Sequence, residues 1–174
     1  MADALPYVDV DRHRDLKGRA AEPWIRRVVL AVLAIFVLVA LAGGFGQATE
    51  SHVARAGAAD LRVVGASTLR GGLLWPARIE VRAKREIAHP RLILGPGWLR
   101  GMQVNTIEPA AVGESSRGER LVLSYDRLVP GDTLVVYLQA QVNPTTVGRQ
   151  NVSVALDDET RPLARVDRTI MVLP

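Results

Sequence analysis

Residues 128–144, LVPGDTLVVYLQAQVNP, decide the fold. After the turn signal Pro130-Gly131-Asp132, the residues Leu134, Val136, Leu138, Ala140 and Val142 alternate with Thr133, Val135, Tyr137, Gln139 and Gln141. Successive side chains of a strand point to opposite faces, so this period of two predicts a strand with one face on a core and one in water. The even-numbered residues then face inward, and Tyr137 stands on the outward face beside Val135. An aromatic and an aliphatic residue side by side on a solvent-facing sheet are a candidate partner contact, because aromatic side chains carry much of the energy of protein–protein contacts.

The same period recurs upstream, where Ala77, Ile79, Val81 and Ala83 alternate with Arg78, Glu80, Arg82 and Lys84. Shorter apolar runs at residues 61–64, 91–94, 102–107, 120–125, 151–156 and 166–173 read as further strands. Turn chemistry separates them at Gly71-Gly72, Gly95-Pro96-Gly97, Glu108-Pro109, Asn143-Pro144 and Asp157-Asp158. No segment of this region has a helical period. Seven or eight short strands with turns at near-regular spacing predict an all-β, immunoglobulin-like antiparallel sandwich over residues 60–174. Residues 107–119, rich in Glu, Ser and Gly, are expected to be an exposed, mobile loop.

The segment Leu128-Val129-Pro130-Gly131-Asp132 with the strand after it resembles the turn and long late strand of bacterial extracytoplasmic immunoglobulin-like modules. The end of the chain, VGRQNVSVALDD and then TIMVLP, is similar to their terminal hairpin. The resemblance covers residues 120–174 and implies a fold and an extracytoplasmic setting, not an activity. Such modules act as spacers or as units that touch protein or glycan. Copper-delivering assembly factors share the plan of one anchor helix and one such domain, but they depend on cysteine, and this chain has none.

Ahead of the strands lies VVLAVLAIFVLVALAGGFG, residues 28–46, with no charged or polar side chain. As a helix it is close to 30 Å long, about the thickness of a bilayer's hydrocarbon core. Trp24, Arg26 and Arg27 are placed to mark the membrane interface, where indoles settle and arginines reach toward headgroups. Arg12, Arg14, Lys17, Arg19, Arg26 and Arg27 precede the span, whereas only Arg55 and Arg62 follow within a comparable distance. The positive-inside rule therefore puts the N-terminus in the cytoplasm and the sandwich outside. The expected organisation is a cytoplasmic tail at 1–23, a transmembrane helix at 24–46, a connector at 47–59 and the sandwich at 60–174. The connector is expected either to prolong the helix or to be a loose tether. Gly46-Gln47-Ala48 also has the form of a signal-peptidase site, but the apolar run exceeds the usual 7–15 residues of a signal peptide. Ala40 with Gly44, and Ala42 with Gly46, have the spacing that lets helices approach closely.

The 174 residues carry 22 Lys/Arg and 18 Asp/Glu, a net charge of +4. That mixed balance argues against nucleic acid, which would call for a basic stripe. The dominance of Arg over Lys, with abundant Ala, Gly and Val, resembles the codon bias of a GC-rich bacterial genome. The lack of cysteine excludes disulfides and thiolate metal sites.

Candidate chemistry is sparse. Asp157, Asp158 and Glu159 lack the spaced ligands and turn glycine of a calcium loop and read as a solvated hairpin turn. His13, His52 and His89 fall in three different segments, so they define no metal site. Ser115, Ser116 and Ser124 lack the strained turn of a nucleophile. Asn151-Val152-Ser153 matches a glycosylation sequon on a predicted strand and is a chance match. Trp75 and Trp98, each beside turn chemistry, are either packing at one end of the core or partner contacts. The expectation is a non-enzymatic module without cofactor or metal, anchored in a lipid bilayer. It would bind or scaffold an envelope or multi-spanning membrane protein. The alternative is a structural spacer or a domain that contacts cell-wall glycan.

Overall fold

The computed structural model describes residues 22–41 and 49–174. The tail at 1–21, the end of the apolar span at 42–46, the Gly44 and Gly46 spacing and the cleavage-like Gly46-Gln47-Ala48 lie outside the described residues. The chain divides into two compact units, Met1–Gly46 and Gln47–Pro174. In the first, helix α1 spans Glu22–Leu41. In the second, β1 (Thr49–Arg55), β2 (Ala59–Ala66), β3 (Thr68–Arg70), β4 (Leu74–Ala83) and β5 (Pro90–Leu94) lead to a single helical turn, α2 (Gly97–Arg100). There follow β6 (Met102–Glu108), β7 (Gly113–Arg117), β8 (Arg120–Ser124), β9 (Thr133–Val142), β10 (Gly148–Asn151), β11 (Val154–Asp158), β12 (Arg161–Val166) and β13 (Thr169–Leu173).

The second unit is an immunoglobulin-type β-sandwich. One layer is the five-stranded sheet β1-β2-β4-β9-β6, every neighbouring pair of which is antiparallel. Opposite it lie the five-stranded sheet β12-β11-β5-β8-β7 and the three-stranded sheet β10-β13-β3. The alternation in the sequence fills the space between them. Val136, Leu138, Ala140 and Val142 of β9 and Trp75, Ala77, Ile79, Val81 and Ala83 of β4 are buried. They share one core cluster with Leu92, Leu94, Leu123, Val154, Leu156, Ile170 and Val172 from the opposite layer.

Thirteen strands form among the described residues, more than the alternation alone reveals. Residues 49–55, expected to prolong the helix or to tether, instead make β1, which pairs with β2 from Thr49↔Ala66 to Arg55↔Asp60. An edge strand needs only its backbone groups satisfied on one side, so the polar sequence TESHVAR serves. Residues 113–117, expected as part of a mobile loop, pair with β8 as the edge strand β7 for the same reason. The single turn α2 also falls where no helical period exists. It is closed by Arg100 N–H donating to Pro96 O at 2.9 Å.

The terminal hairpin implied by the resemblance is present but divided between two sheets. The pairs Gly148↔Val172 to Asn151↔Thr169 and then Val154↔Val166 keep one register across the break. Between them, Val152 N–H donates to Arg168 O at 2.9 Å, while Ser153 O turns to accept from Gly95 N–H at 2.8 Å. Arg168 sits at this break almost fully buried, and its guanidinium donates to Gly65 O at 2.5 Å and Ala66 O at 2.9 Å. The clamp ties the end of β2 to the opposite layer. Burial pulls the guanidinium's pKa below its usual value, and Glu50 on β1 works against that.

α2 seats against β10 without space for a side chain at its first residue. A Cβ on Gly97 would lie 2.5 Å from the backbone oxygen of Asn151. Gly97→Ala is therefore expected to destabilise the sandwich by about 1–3 kcal/mol, the usual cost of overpacking. A fall in the thermal midpoint, followed by near-ultraviolet circular dichroism of the full chain in detergent, checks this.

Candidate protein-contact face

Cross-strand register builds the outer face of the β1-β2-β4-β9-β6 sheet around Tyr137. Arg78 of β4 stands opposite Tyr137 of β9, Val64 of β2 stands opposite Arg78, and Glu108 of β6 stands opposite Tyr137. A second row runs from Val53 through Arg62 and Glu80 to Val135. Tyr137 is 55% exposed, and the Arg78 guanidinium lies over its ring at 5.8 Å from the centroid. Arg78 also donates to Glu80 Oε2 at 3.2 Å, which holds the guanidinium in place. Val135 is half-buried. The face thus offers an aromatic ring whose upper side carries a fixed positive charge, with carboxylates on either flank. Tyrosine and arginine are the residue types that anchor protein contacts, and an Arg–aromatic stack costs little entropy to dock.

The sequence placed Arg78, Glu80 and Arg82 outward with Tyr137 and Val135. It held no signal for which of them meet, because register follows from the hydrogen-bond ladder and not from parity.

Of the two readings of Trp75 and Trp98, their burial fits packing in the core and not contact with a partner. Both are fully buried, and their rings stack with centroids 4.6 Å apart at 25°. They fill one end of the sandwich and are the two largest fully buried side chains among the described residues. Trp75 carries the Arg168 guanidinium 5.8 Å above its ring.

In the first unit, every residue from Pro23 to Leu41 is exposed, and these 19 residues are long and apolar enough to cross a membrane. Trp24 is 65% exposed with Arg27 at 6.0 Å from its ring centroid, and Arg26 is exposed beside it. The three residues form a polar-aromatic collar at the start of the helix.

The remaining candidates among the described residues lie at separate places in the sandwich. Asp157 and Asp158 end β11, and Glu159 makes the turn into β12. Asp158 Oδ1 accepts from His89 N–H at 2.8 Å, and burial raises the Asp157 pKa against the pull of Arg91. His52 lies on β1, 3.3 Å from Glu50, and His13 lies outside the described residues. Ser115 and Ser116 sit on β7. Ser124 and His89 share a cleft of about 440 Å³ with Tyr125, Asp126, Arg127 and Glu159, yet no hydrogen bond joins Ser124 to His89. The Tyr125 hydroxyl there is pushed up to about 12 by burial and by Glu114, so it stays protonated. A wider groove of about 670 Å³ lies where β6 and β8 part, floored by Met102, Val104, Ile107 and Leu121. Among the described residues no three His, Asp or Glu side chains gather to hold a metal.

No family model matches the chain, and no curated protein matches it in sequence. Among solved structures, a non-cellulosomal cohesin from the hyperthermophilic archaeon Archaeoglobus fulgidus aligns with TM-score 0.44 and 11% identity over 63% of this chain and 88% of that chain.

Proposed function

We propose that the chain is a single-pass, membrane-anchored module of a bacterial envelope, N-terminus cytoplasmic and sandwich extracytoplasmic. It binds or scaffolds another envelope or membrane protein, without catalysis, through the outer face of the β1-β2-β4-β9-β6 sheet. The observation that carries this reading is the exposed Tyr137 ring, capped by Arg78 and flanked by Val135 and Glu108 on the outer face of the sheet. A residue needed only for folding would be covered. The apolar helix α1 with its Trp24-Arg26-Arg27 collar supports the anchor, and the excess of basic residues before it supports the orientation.

The test replaces Tyr137 in the full chain. A photo-crosslinking amino acid at position 137 is expected to give one discrete adduct in living cells. Tyr137→Ala is expected to weaken capture of that adduct partner by about thirtyfold, the ~2 kcal/mol of a contact hot spot. The melting temperature should move by no more than about 3 °C, as for a surface substitution. A large fall in melting temperature with equal loss of capture would assign Tyr137 to packing. Retention on peptidoglycan that Tyr137→Ala leaves untouched would favour the glycan-contacting alternative.

A further inference from the structure

Ten large hydrophobic side chains are exposed in the described part of the sandwich unit, and six of them, Leu73, Leu74, Leu99, Val147, Met171 and Leu173, converge on one end. Backbone hydrogen bonds show the convergence. Gly71 N–H donates to Leu173 O at 3.2 Å, Gly72 N–H to Val142 O at 2.9 Å, and Asn143 N–H to Gly101 O at 3.0 Å. These bonds gather the β3–β4 turn, the tip of β13, the end of β9 and the α2–β6 junction. Val147 joins them because Gly148 pairs with Val172. Thr49, the first residue of β1, pairs with Ala66 at the same end.

The opposite end is of another character. There Lys84, Arg85, Glu86, Asp126, Arg127 and Glu159 are exposed, with only Val112 and Val129 as large apolar side chains.

Arg70 and Arg149 flank the apolar end. Both are exposed, and neither has a carboxylate partner among the described residues. The carboxylates Glu50 and Glu119 at this end are engaged by His52 and Arg100. Apolar side chains flanked by two unpaired arginines suit a surface that enters the headgroup layer of an anionic membrane. The backing is rigid as well. In Leu74-Trp75 and Trp98-Leu99 the indoles stack inside while the leucines next to them point out. In the sequence, β1 is the strand that follows the apolar span most directly.

We infer that the end of the sandwich where β1 begins is a lipid-contacting surface. Leu73, Leu74, Val147 and Leu173 enter the headgroup boundary, and Arg70 and Arg149 pair with lipid phosphates. The inference rests on the reading of α1 as a membrane anchor and adds a second, reversible contact with the same kind of surface.

The chain has no cysteine, so single-cysteine variants of the full chain can each carry one environment-sensitive fluorophore. Leu74→Cys and Leu173→Cys report on the apolar end, Val129→Cys on the opposite end and Val32→Cys on α1. The protein is reconstituted into phosphatidylcholine vesicles with and without phosphatidylglycerol. The lipids carry a nitroxide quencher near the headgroup for the labels at 74, 173 and 129, and near the end of the acyl chain for the label at 32, which lies midway along α1. Labels at 74 and 173 are expected to be quenched severalfold more than the label at 129 when phosphatidylglycerol is present. Adding Arg70→Gln with Arg149→Gln should weaken that contact by about fivefold per arginine, the share of one basic residue near an anionic surface. Equal quenching at 74, 173 and 129 would overturn the proposal. So would labels at 74 and 173 that are shielded from aqueous iodide but not reached by the lipid quencher, because a protein would then cover this end. An unquenched label at 32 would remove the anchor reading, and the proposal with it, by a result distinguishable from the other two.

Discussion

Val136→Asp is expected to unfold the sandwich outright. Val136 is fully buried in the middle of β9, opposite Ile79 of β4, which is also fully buried. An aspartate there has either to desolvate its charge or to take up a proton at neutral pH, at a cost of several kcal/mol. That matches the whole stability of an ordinary domain, about 5–15 kcal/mol, once the lost valine contacts are added. Leu138→Asp should behave in the same way. Gln139→Asp, one residue away on the exposed face, should change stability by no more than about 0.5 kcal/mol. Limited proteolysis of the full chain in detergent checks the set. Fragments from inside residues 49–174 are expected for the two core variants at protease concentrations that leave Gln139→Asp intact. Equal resistance of all three would mean that the parity of β9 is wrong.

The second large effect is expected from the indole pair. Trp75→Ala removes a fully buried ring that stacks on Trp98 at 4.6 Å and lies beneath the Arg168 guanidinium. Large-to-small changes of this kind cost about 3–5 kcal/mol. The stack itself contributes about 0.5–1.5 kcal/mol beyond the area buried. Trp75→Ala and Trp98→Ala together should therefore cost less than the sum of the two, by about that amount. A double-mutant cycle on thermal midpoints measures it, and strict additivity would show that the rings are neighbours without coupling. Gly65 is bound into the same assembly. A Cβ at that position would approach Arg168 Nη1 at 3.0 Å and Trp75 Nε1 at 3.2 Å.

How far the sequence could be read depended on whether a strand carries its own apolar face. Parity makes Ala77, Ile79, Val81 and Ala83 of β4 and Val136, Leu138, Ala140 and Val142 of β9 legible as buried, but it leaves Trp75 open and makes Leu134, which is half-buried, an inward residue. β1 and β7, TESHVAR and GESSR, are edge strands whose stability lies in backbone pairing with a neighbour. Nothing in their side chains announces that, so in the sequence one has the look of a connector and the other of a loop. β3 has three residues and β10 has four, both too short for a period to appear. At the candidate face, parity exposed Tyr137 and Arg78 separately, while their stacking is a product of register. The two tryptophans were found by their turn neighbours, but their burial against each other depends on how α2 folds back after β5. Arg168 could not have been foreseen as a core residue, since its burial depends on carbonyl acceptors about a hundred positions earlier.

The pairing of β13 with β3 imposes an order on biosynthesis. β3 ends at Arg70, and its parallel partner Leu173 is made roughly a hundred residues later, which at ordinary elongation rates is about 5–20 s. During that interval β2, β4 and β9 can pair as antiparallel neighbours, but the pocket that takes Ile170 and Val172 stays open. Long-range parallel pairing is also the slow kind, because loop closure must precede any gain from the contact. The nascent sandwich is therefore held in a partly assembled state until β13 arrives, with an apolar seam exposed in the meantime.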